Sequence, residues 1–372
     1  MRVKLEDVCE RGSSNIKQSD IIKMSGNYPI YGASGLAGKV NFYHQEQPYV
    51  AVVKDGAGIG RTTLNPAKSS VIGTMQYLIP KKNVLPEYLF YVVSYMHLEK
   101  YYTGATIPHI YFKDYKNEEF NLDNIEKQLE IIDVLGRCKK VIEARKQELV
   151  ELDSLTKARF VELFGDPVAN PMHWPVKRLK ELAIQINSGN TPKGGSENYV
   201  EKGITFFRSQ NVWKDRLEMD DIAYIDEKTH ESMKRSSLKH GDILMTKTGR
   251  INTENSSLGR AALYEGEDDM ANVNGHVYFI RLKEGVNNKF VLRVLVSPEY
   301  RDLIRSVCVG GIDKRQLNKE HIEEFPIIYP PSEMIDNYIE FVEQVNKSKV
   351  AVQKALDETQ ILFDSLMQKY FG

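Results

Sequence analysis

Two stretches of the chain place apolar residues three, four or seven positions apart, which is the spacing of one helix face. The first runs from about Asn124 to Phe164 and contains no proline. The second begins at Ser332, directly after the helix-stopping pair Pro330 and Pro331. At ~1.5 Å of rise per residue, about 40 residues form a rod of roughly 60 Å. The pattern therefore predicts two helices that are longer than those of ordinary globular domains.

Each predicted helix carries an apolar seam that needs a partner surface. The nearest partner is the other helix of the same chain, although a coiled coil between two copies of the chain also satisfies the pattern. The residues predicted to form this seam are Ile132, Leu135, Ile142, Leu149 and Leu152 in the first helix and Ile339, Val342, Val345, Val352 and Leu356 in the second.

The regions that precede the two helices have a mixed character. Short β-branched or aromatic runs, bounded by Gly, Asp or Asn, predict strands at residues 49–53, 223–225, 241–246 and 276–280. Residues 85–100 and 289–305 carry helical periodicity instead, with Pro or Asn near the start of each. The predicted fold class is α+β, with two globular regions that each precede a long helix.

The two halves of the chain repeat one another with a period of roughly 205 residues. Phe164 closes the first predicted helix as Phe371 closes the second, and Phe120 precedes one helix as Phe325 precedes the other. These matches indicate a divergent tandem duplication. The predicted domains are two globular regions, 1–122 and 166–328, and two helices, 123–165 and 329–372.

The composition excludes several classes of protein. With 50 Lys and Arg against 51 Asp and Glu, the 372-residue chain has a net charge of -1 and is neither a basic nucleic-acid coat nor an acidic solvating chain. Hydrophobic residues at 41% predict packed cores. A charged N-terminus and the lack of a long apolar run predict a soluble, cytoplasmic protein. Cys9, Cys138 and Cys308 are too scattered for disulfides or a zinc site, so buried thiols are expected.

The sequence contains no recognisable motif of a catalytic or cofactor site. Residues 56–61 are glycine-rich and follow a predicted strand, yet residues 62–66 cannot start the helix that would bind a phosphate. Residues 329–332 lack the amide or carboxylate that would hold a flipped adenine. We therefore expect no catalysis, no cofactor and no metal. The histidines without a ligand partner at short range are His97, His109, His240 and His276.

Loops at matching places in the two halves are small and locally basic. Their glycines allow a partner to approach the backbone closely, and their Lys, Arg, Gln and Asn side chains can contact phosphates or base edges. The residues predicted to contact DNA are Lys54, Arg61, Thr106, His109, Tyr111 and Lys113 in the first half, and Arg208, Gln210, Asn211, Lys247, Thr248, Arg250, Arg260, Lys314, Arg315 and Gln316 in the second.

Taken in order, these features resemble the DNA-specificity subunit of type I restriction-modification enzymes. They are a β-rich region, a Gly-Ala-Thr-Ile-Pro-His segment at 104–109, a long helix that ends in Phe-Gly-Asp-Pro at 164–167, and a second such region and helix. Residues 240–249 and 271–274 look like common target-recognition strands, and Glu-Lys-Gln at 126–128 looks like the family's helix opening. The resemblance covers essentially the whole chain. It departs from the family at residues 121–124, where a Pro pair is usual.

The resemblance implies a subunit of a host-defence system that has no catalysis of its own. Two target-recognition domains would each contact one half of a bipartite double-stranded DNA site in the major groove. The two helices would pair antiparallel, set the gap between the half-sites and dock two DNA adenine methyltransferase subunits. A larger assembly adds ATP-dependent restriction subunits. Because the chain has no basic excess, we expect the modification subunits to supply much of the phosphate contact.

Other hypotheses fit parts of the pattern. A structural coiled-coil protein with two protein-binding globular ends would show no sequence-dependent DNA binding. An enzyme with an unrecognised active site would need an acid pair, nucleophile or metal cluster that the motifs do not supply. Within the resembled family, a system that methylates DNA without an ATP-driven nuclease uses the same kind of subunit.

Overall fold

The computed structural model describes residues 1–22, 24–104, 107–251, 253, 255–311 and 314–372. The chain divides into two compact units. Unit 1 comprises Met1–Val150 and Val350–Gly372, and unit 2 comprises Glu151–Lys349. Each unit combines β-sheets with helices, which confirms the predicted α+β class.

Unit 1 consists of short strands and helices together with parts of the two long helices. The strands are β1 (Arg2–Lys4), β2 (Cys9–Ser13), β3 (Tyr28–Gly32), β4 (Gly35–Val40), β5 (Tyr49–Val53), β6 (Thr62–Asn65), β7 (Ser70–Val71), β8 (Met75–Pro80) and β9 (Glu119–Asn121). The helices are α1 (Leu5–Val8), α2 (Gln18–Ile21), α3 (Pro86–Tyr95), α4 (Phe112–Tyr115) and the long α5 (Ile125–Phe164), whose last part belongs to unit 2.

The main sheet of unit 1 has the order β2-β8-β5-β6 and is antiparallel throughout. Every residue of β5 is fully buried, as expected for a continuous apolar run. Val50 and Val52 pack in the same cluster as the buried side chains of α3, whereas Tyr49, Ala51 and Val53 pack in a second cluster. The alternation of side chains along a strand thus places one hydrophobic cluster on each face of the sheet.

Unit 2 repeats this plan with additional strands. Its strands are β10 (Val176–Arg178), β11 (Ala183–Ser188), β12 (Tyr199–Val200), β13 (Ile204–Phe207), β14 (Ala223–Ile225), β15 (Ile243–Thr246), β16 (Thr248–Gly249), β17 (Ala261–Leu263), β18 (Ala271–Val273), β19 (Val277–Leu282), β20 (Val309–Gly310), β21 (Arg315–Gln316) and β22 (Pro326–Ile328). Its helices are α6 (Leu179–Leu182), α7 (Glu227–Ser232), α8 (Asn288–Leu295), α9 (Pro298–Val307), α10 (Lys319–Glu323) and the long α11 (Ser332–Phe371), whose last part belongs to unit 1.

The main sheet of unit 2 has the order β11-β19-β15-β17 and matches the main sheet of unit 1. Its central strand β15 is buried along its whole length. Ile243 and Met245 pack in the cluster that contains α8, and Leu244 packs in a cluster on the other face. A second sheet, β12-β14-β13-β18, corresponds to the three-stranded sheet β4-β3-β7 of unit 1 with one strand added, and each sheet contains one parallel pair, β3 with β7 and β13 with β18.

Two predicted helices are shorter than the periodicity suggested. Residues 85–100 form α3 and a separate 3-10 turn at Leu98–Tyr101, because His97 takes a left-handed conformation with φ of 49°. Residues 289–305 are divided into α8 and α9. Pro298 has no N–H to continue α8, and the Ser297 hydroxyl instead caps α9 by accepting from the Tyr300 N–H. The predicted helical character is therefore confirmed in both places, with one break in each.

The two long helices are as predicted from the sequence, and each contains 40 residues. At the start of α5, Asn124 supplies the cap where a Pro pair is usual, since its carboxamide oxygen accepts from the Lys127 N–H at 2.8 Å. Gln128 is fully buried and bonds the Asn83 carbonyl, the Asp123 carbonyl and the Leu85 N–H. The helix opening is thus fixed to the loop that precedes α3.

The long helices pack against each other in antiparallel fashion inside each unit. In unit 2, Lys349 pairs with Asp153 at 2.5 Å, while the Tyr338 ring lies 5.6 Å from that of Phe160. In unit 1, Leu135 near the start of α5 and Met367 near the end of α11 share one core. Their seams are therefore covered within the chain. Of the predicted seam residues, Leu135, Ile142, Ile339, Val342, Val345, Val352 and Leu356 are buried, and Ile132, Leu149 and Leu152 are partly buried.

Among the described residues, no helix combines the length and the apolar character needed to cross a bilayer. Cys9, Cys138 and Cys308 are free thiols; Cys9 and Cys308 are buried and Cys138 is partly buried. Burial raises the pKa of the Cys9 thiol to about 12. That thiol is therefore held in its neutral form.

Replacing Leu356 by Asp should destabilise the paired helices. Leu356 is 8% exposed, so the variant places a carboxylate where an apolar side chain is packed, at a cost of about 3 kcal/mol in the free energy of unfolding. Urea denaturation measures this change. The matched control is Val350→Asp on the same helix, because Val350 is 71% exposed. Equal destabilisation by the two variants would contradict the packing of Leu356.

Candidate nucleic-acid interface

A small sheet lies at the end of the buried central strand of unit 2. After β15, residue Lys247 leads into β16, which pairs with β21, and β21 pairs in turn with β20. Thr248 is opposite Gln316, and Gly249 is opposite Arg315. The Leu317 N–H donates to the Lys247 carbonyl at 2.9 Å. We call this three-stranded arrangement the end sheet of unit 2.

The same backbone pairing recurs at the end of β5 in unit 1. The Ile110 N–H donates to the Lys54 carbonyl at 2.9 Å, as Leu317 does to Lys247. Asp55 pairs with His109, and His109 pairs with Thr103. These pairs form the end sheet of unit 1, and they equate His109 with Gln316 and Lys54 with Lys247. The duplication suggested by the sequence therefore extends to individual backbone hydrogen bonds.

A glycine is required at the same point of both end sheets. Gly104 has φ of 100° and Gly310 has φ of 120°, which L-residues with a side chain rarely adopt. A Cβ atom would lie 2.5 Å from the Ile107 carbonyl oxygen in one case and 2.6 Å from the Lys314 carbonyl oxygen in the other. The two glycines thus allow the chain to reverse closely beside the central strand.

The end sheet of unit 2 presents several predicted DNA-contact residues together. Arg250 and Lys314 are exposed, and they line an open depression of about 580 Å³ with Thr248. The Lys247 ammonium lies 5.5 Å from the centre of the Tyr278 ring. Arg315 and Gln316 are partly buried: Arg315 donates to the Cys308 carbonyl at 3.4 Å, and Gln316 donates to the Asn318 side chain at 2.9 Å.

The end sheet of unit 1 carries a different set of side chains. Asp55 forms an ion pair with Lys54, and a ring nitrogen of His109 lies 2.7 Å from the Asp55 carboxylate. The His109 ring stacks on Tyr111 with centroids 6.3 Å apart, and the Lys113 ammonium lies 5.5 Å from the Tyr111 ring. The side chains of Tyr111 and Lys113 are both exposed. An accessible aromatic ring flanked by a cation can contact a nucleic acid by stacking and by charge.

Two further predicted residues of the first half need separate mention. Arg61 is exposed and lies directly before β6. Its guanidinium donates to the Ala33 carbonyl at 3.0 Å, which holds the side chain against the loop after β3. Thr106 lies outside the described residues.

Three predicted residues of unit 2 lie in the turn after β13 and not in the end sheet. Asn211 is 1% exposed, and its carboxamide bonds the Arg208 N–H and the carbonyls of Glu218 and Asp221. Arg208 also pairs with Asp221 at 3.1 Å, and Gln210 donates to the same carboxylate at 3.0 Å. These bonds from Gln210 and Arg208 lower the pKa of Asp221. The Asn211 carboxamide is therefore used to hold the turn together.

The Arg260 side chain also makes its contacts within the protein. It is 8% exposed, its Nε donates to the Ser256 carbonyl at 2.9 Å, and its guanidinium lies 3.8 Å from the centre of the Trp213 ring. Lys157, Lys214, Arg301 and Arg305 line the same cavity as Arg260. Sequence reasoning missed these four residues because they come from separate segments. Only the tertiary structure brings their charges together.

The chain matches a known protein family over most of its length. The family model described as type I restriction modification DNA specificity domain matches residues 1–153 and 171–361. The chain is also 25% identical over 313 residues to the type I restriction enzyme MjaIX specificity subunit of Methanocaldococcus jannaschii, a match that covers 78% of this chain and 69% of that protein.

Two solved structures share the fold. The S subunit of a type I restriction-modification system from M. genitalium superposes with a TM-score of 0.61 at 16% identity, over 100% of this chain and 96% of that one. A chain from a structural study of complex assembly and conformational transition of the type I R-M system gives a TM-score of 0.59 at 16% identity, over 100% of this chain and 97% of that one.

The paired long helices, the two β-rich units and the family match define a DNA-recognition protein of the type I restriction-modification class. The chain belongs to the family of type I restriction-modification DNA specificity domains. It is the specificity subunit, the non-catalytic member of the type I complex, as the sequence motifs predicted.

Replacing Asn211 by Ala should lower the free energy of unfolding by about 2–4 kcal/mol. The change leaves the Glu218 carbonyl and the Arg208 N–H without the carboxamide, whereas the Asp221 carbonyl keeps its bond from the Arg208 guanidinium. Chemical denaturation followed by tryptophan fluorescence measures this loss, because Trp213 is close in sequence. The control is Gln210→Ala, which removes one exposed hydrogen bond and should cost less than about 0.5 kcal/mol. A neutral Asn211→Ala variant would show that the turn does not depend on this carboxamide.

Proposed function

We propose that this specificity subunit recognises a bipartite site in double-stranded DNA, with unit 1 contacting one half-site and unit 2 the other. The observation that supports this most is the recurrence of the end sheet in both units with different side chains. Lys54 and Lys247 occupy the same position in the two units, whereas His109 is replaced by Gln316. A shared cation suits phosphate, which is the same in every sequence, and the variable side chains suit unlike half-sites.

The side chains of the two end sheets favour different base contacts. In unit 2, Arg250 can bond O6 and N7 of guanine, and Gln316 can bond N6 and N7 of adenine. In unit 1, the Asp55 and His109 pair and the ring of Tyr111 supply a hydrogen-bonding edge and an aromatic face. The remaining predicted contacts, Arg61, Thr106, Arg208 and Lys314 among them, stay predictions. Arg260 and Asn211 contribute to this function by supporting the loops that carry the contacts.

We further propose that α5 and α11 set the gap between the half-sites and dock two DNA adenine methyltransferase subunits. Both helices keep large apolar side chains on their outer surfaces, including Leu155 and Val161 on α5 and Ile361 and Leu362 on α11. Such exposed apolar side chains are typical of protein contact surfaces. In a system that also cleaves DNA, ATP-dependent restriction subunits would join the larger assembly, whereas a system that only methylates DNA would lack them. Because the target is chromosomal or invading DNA, the complex works in the cytoplasm.

The proposal predicts that substitutions in the end sheet of unit 2 affect only one half-site. Arg250→Ala in the assembled complex should cost roughly 1–3 kcal/mol at one base position of the half-site that unit 2 contacts. Lys247→Met should weaken binding to all sequences alike and lower the salt slope by about one. Binding to a panel of duplexes with single-base changes in both half-sites measures these effects. Unchanged preference in the Arg250→Ala complex would show that the end sheet does not face the bases.

The lengths of α5 and α11 are expected to determine the gap between the two half-sites in the DNA. Four helix-forming residues added to each long helix at matched positions lengthen it by about 6 Å and rotate the chain beyond the insertion by only ~40°. Since DNA rises about 3.4 Å per base pair, the gap between half-sites should grow by about one to two base pairs while the half-sites stay the same.

An insertion of two residues in each helix serves as the contrasting variant. It rotates the chain beyond the insertion by ~200°, so specific methylation should be lost. Adenine-methylation sequencing of cells that carry the complex measures both outcomes. An unchanged gap after the four-residue insertion would mean that the helices do not set the spacing.

A further inference from the structure

Unit 2 contains a cavity of about 520 Å³ whose lining is rich in positive charge. It lies among the turn after β13, the loop before β17, the start of α9 and the adjoining parts of α5 and α11. Three carboxylates of the described residues line it, and each is paired: Asp215 with Arg293 at 2.6 Å, Asp153 with Lys349 at 2.5 Å, and Asp302 with Arg305 at 3.4 Å. The lining also includes the cations Lys157, Lys214 and Arg260, so among the described lining residues the positive side chains outnumber the carboxylates.

Lys214 is held at this cavity by a tight turn. The Trp213 N–H donates to the Arg216 carbonyl at 3.0 Å, and Asp215 takes a left-handed conformation with φ of 62°. The Asp215 N–H then donates to the Ala261 carbonyl in β17 at 2.8 Å, which ties the turn to the edge of the main sheet. The Trp213 ring lies against the Arg260 guanidinium. The backbone thus positions Lys214 and Arg260 together.

Positive side chains surround Lys214 in this cavity. Burial, followed by the positive charges of Arg301, Arg260, Arg305 and Lys157, lowers the pKa of Lys214. A bound anion would reverse this repulsion. The first turn of α9, capped by Ser297, also lines the cavity, and the N-terminus of a ten-residue helix favours an anion.

The cavity and the depression at the end sheet of unit 2 border the same loop. Ser256 lines this cavity and also the depression that Arg250 and Lys314 border. The Arg301 guanidinium donates to the Thr253 carbonyl at 3.2 Å, so a residue of the cationic cavity holds the loop that borders the end sheet. An anion in the cavity and a base at the end sheet would therefore lie on two sides of the same loop.

We propose that this cationic cavity binds a phosphate of the DNA backbone next to the half-site that unit 2 contacts, with Lys214 as its principal ligand. The proposal rests on the proposed function, because it needs DNA at the end sheet of unit 2. Its chemistry is independent of base identity, since a phosphate is the same in every nucleotide. Lys214 is thus a DNA-binding residue that anchors the duplex while the end sheet discriminates bases.

The test uses the assembled complex with its methyltransferase subunits and a duplex that contains the methylated site. Lys214→Gln should weaken binding to this duplex and to a non-specific duplex of the same length by the same factor, about fivefold at roughly 0.15 M salt. The slope of log affinity against log salt should become less steep by about 0.9. The matched control is Lys228→Gln, because Lys228 is an exposed lysine of α7 in the same unit that does not line the cavity. This control should leave both quantities unchanged.

A second measurement locates the phosphate. Uncharged methylphosphonate linkages are placed one at a time along the duplex near the unit 2 half-site. One position should weaken binding to the wild-type complex but not to the Lys214→Gln complex. Thermal unfolding of both complexes checks that the variant is folded. If Lys214→Gln does not fold, Lys157→Gln takes its place with the same expected result.

Three results would overturn the proposal. Unchanged affinity and salt slope in a folded Lys214→Gln complex would show that no backbone phosphate lies in the cavity. Stabilisation of the wild type by inorganic phosphate, lost in the variant while DNA binding is unaffected, would assign the cavity to a free anion. Release of a methyltransferase subunit from the variant would assign it to an acidic protein surface. If Arg250→Ala still shifts base preference in any of these cases, the proposed function stands and only the phosphate anchor fails.

Discussion

The burial of one central strand on both faces is the constraint on which each unit depends. β5 and β15 each divide their side chains between two hydrophobic clusters, so a shift of register by one residue would exchange the contents of both clusters. The point at which each strand leaves the core is therefore fixed. Lys54 and Lys247 stand at that point, and the backbone beyond them forms the end sheets. The hydrophobic packing of β5 and β15 thus sets the position of the candidate DNA-contact residues in the end sheets.

The two units share the backbone arrangement of the end sheets but have different side chains on it. Gly104 and Gly310 are needed in both units because a side chain would collide with a carbonyl oxygen. The residues around them have diverged: by the same backbone pairing, His109 corresponds to Gln316 and Tyr111 corresponds to Asn318. A scaffold of this kind can alter its contacts without altering its fold, because the packing constraints and the recognition side chains belong to different residues.

The sequence predicted those features that depend on local pattern. The long helices and the central strands were identifiable because periodicity and apolar runs are properties of adjacent residues. The end sheets were not, since the pairing of Thr248 with Gln316 joins residues that are remote in the chain. Burial was also invisible: Asn211 and Arg260 belong to loops that look suited to DNA contact, yet internal hydrogen bonds occupy their polar groups. The cationic cavity could not be foreseen because separate segments contribute its charges.

The last 23 residues of the chain are part of unit 1, although unit 1 begins at Met1. Met367 is buried in its core, and the Phe371 ring lies 5.4 Å from that of Tyr88. During synthesis, the core of unit 1 therefore cannot close until residues 350–372 have been made, whereas unit 2 needs only the residues up to Lys349. A product that is truncated after Lys349 would therefore contain all of unit 2 but would lack part of the core of unit 1, although residues 1–150 of unit 1 are present.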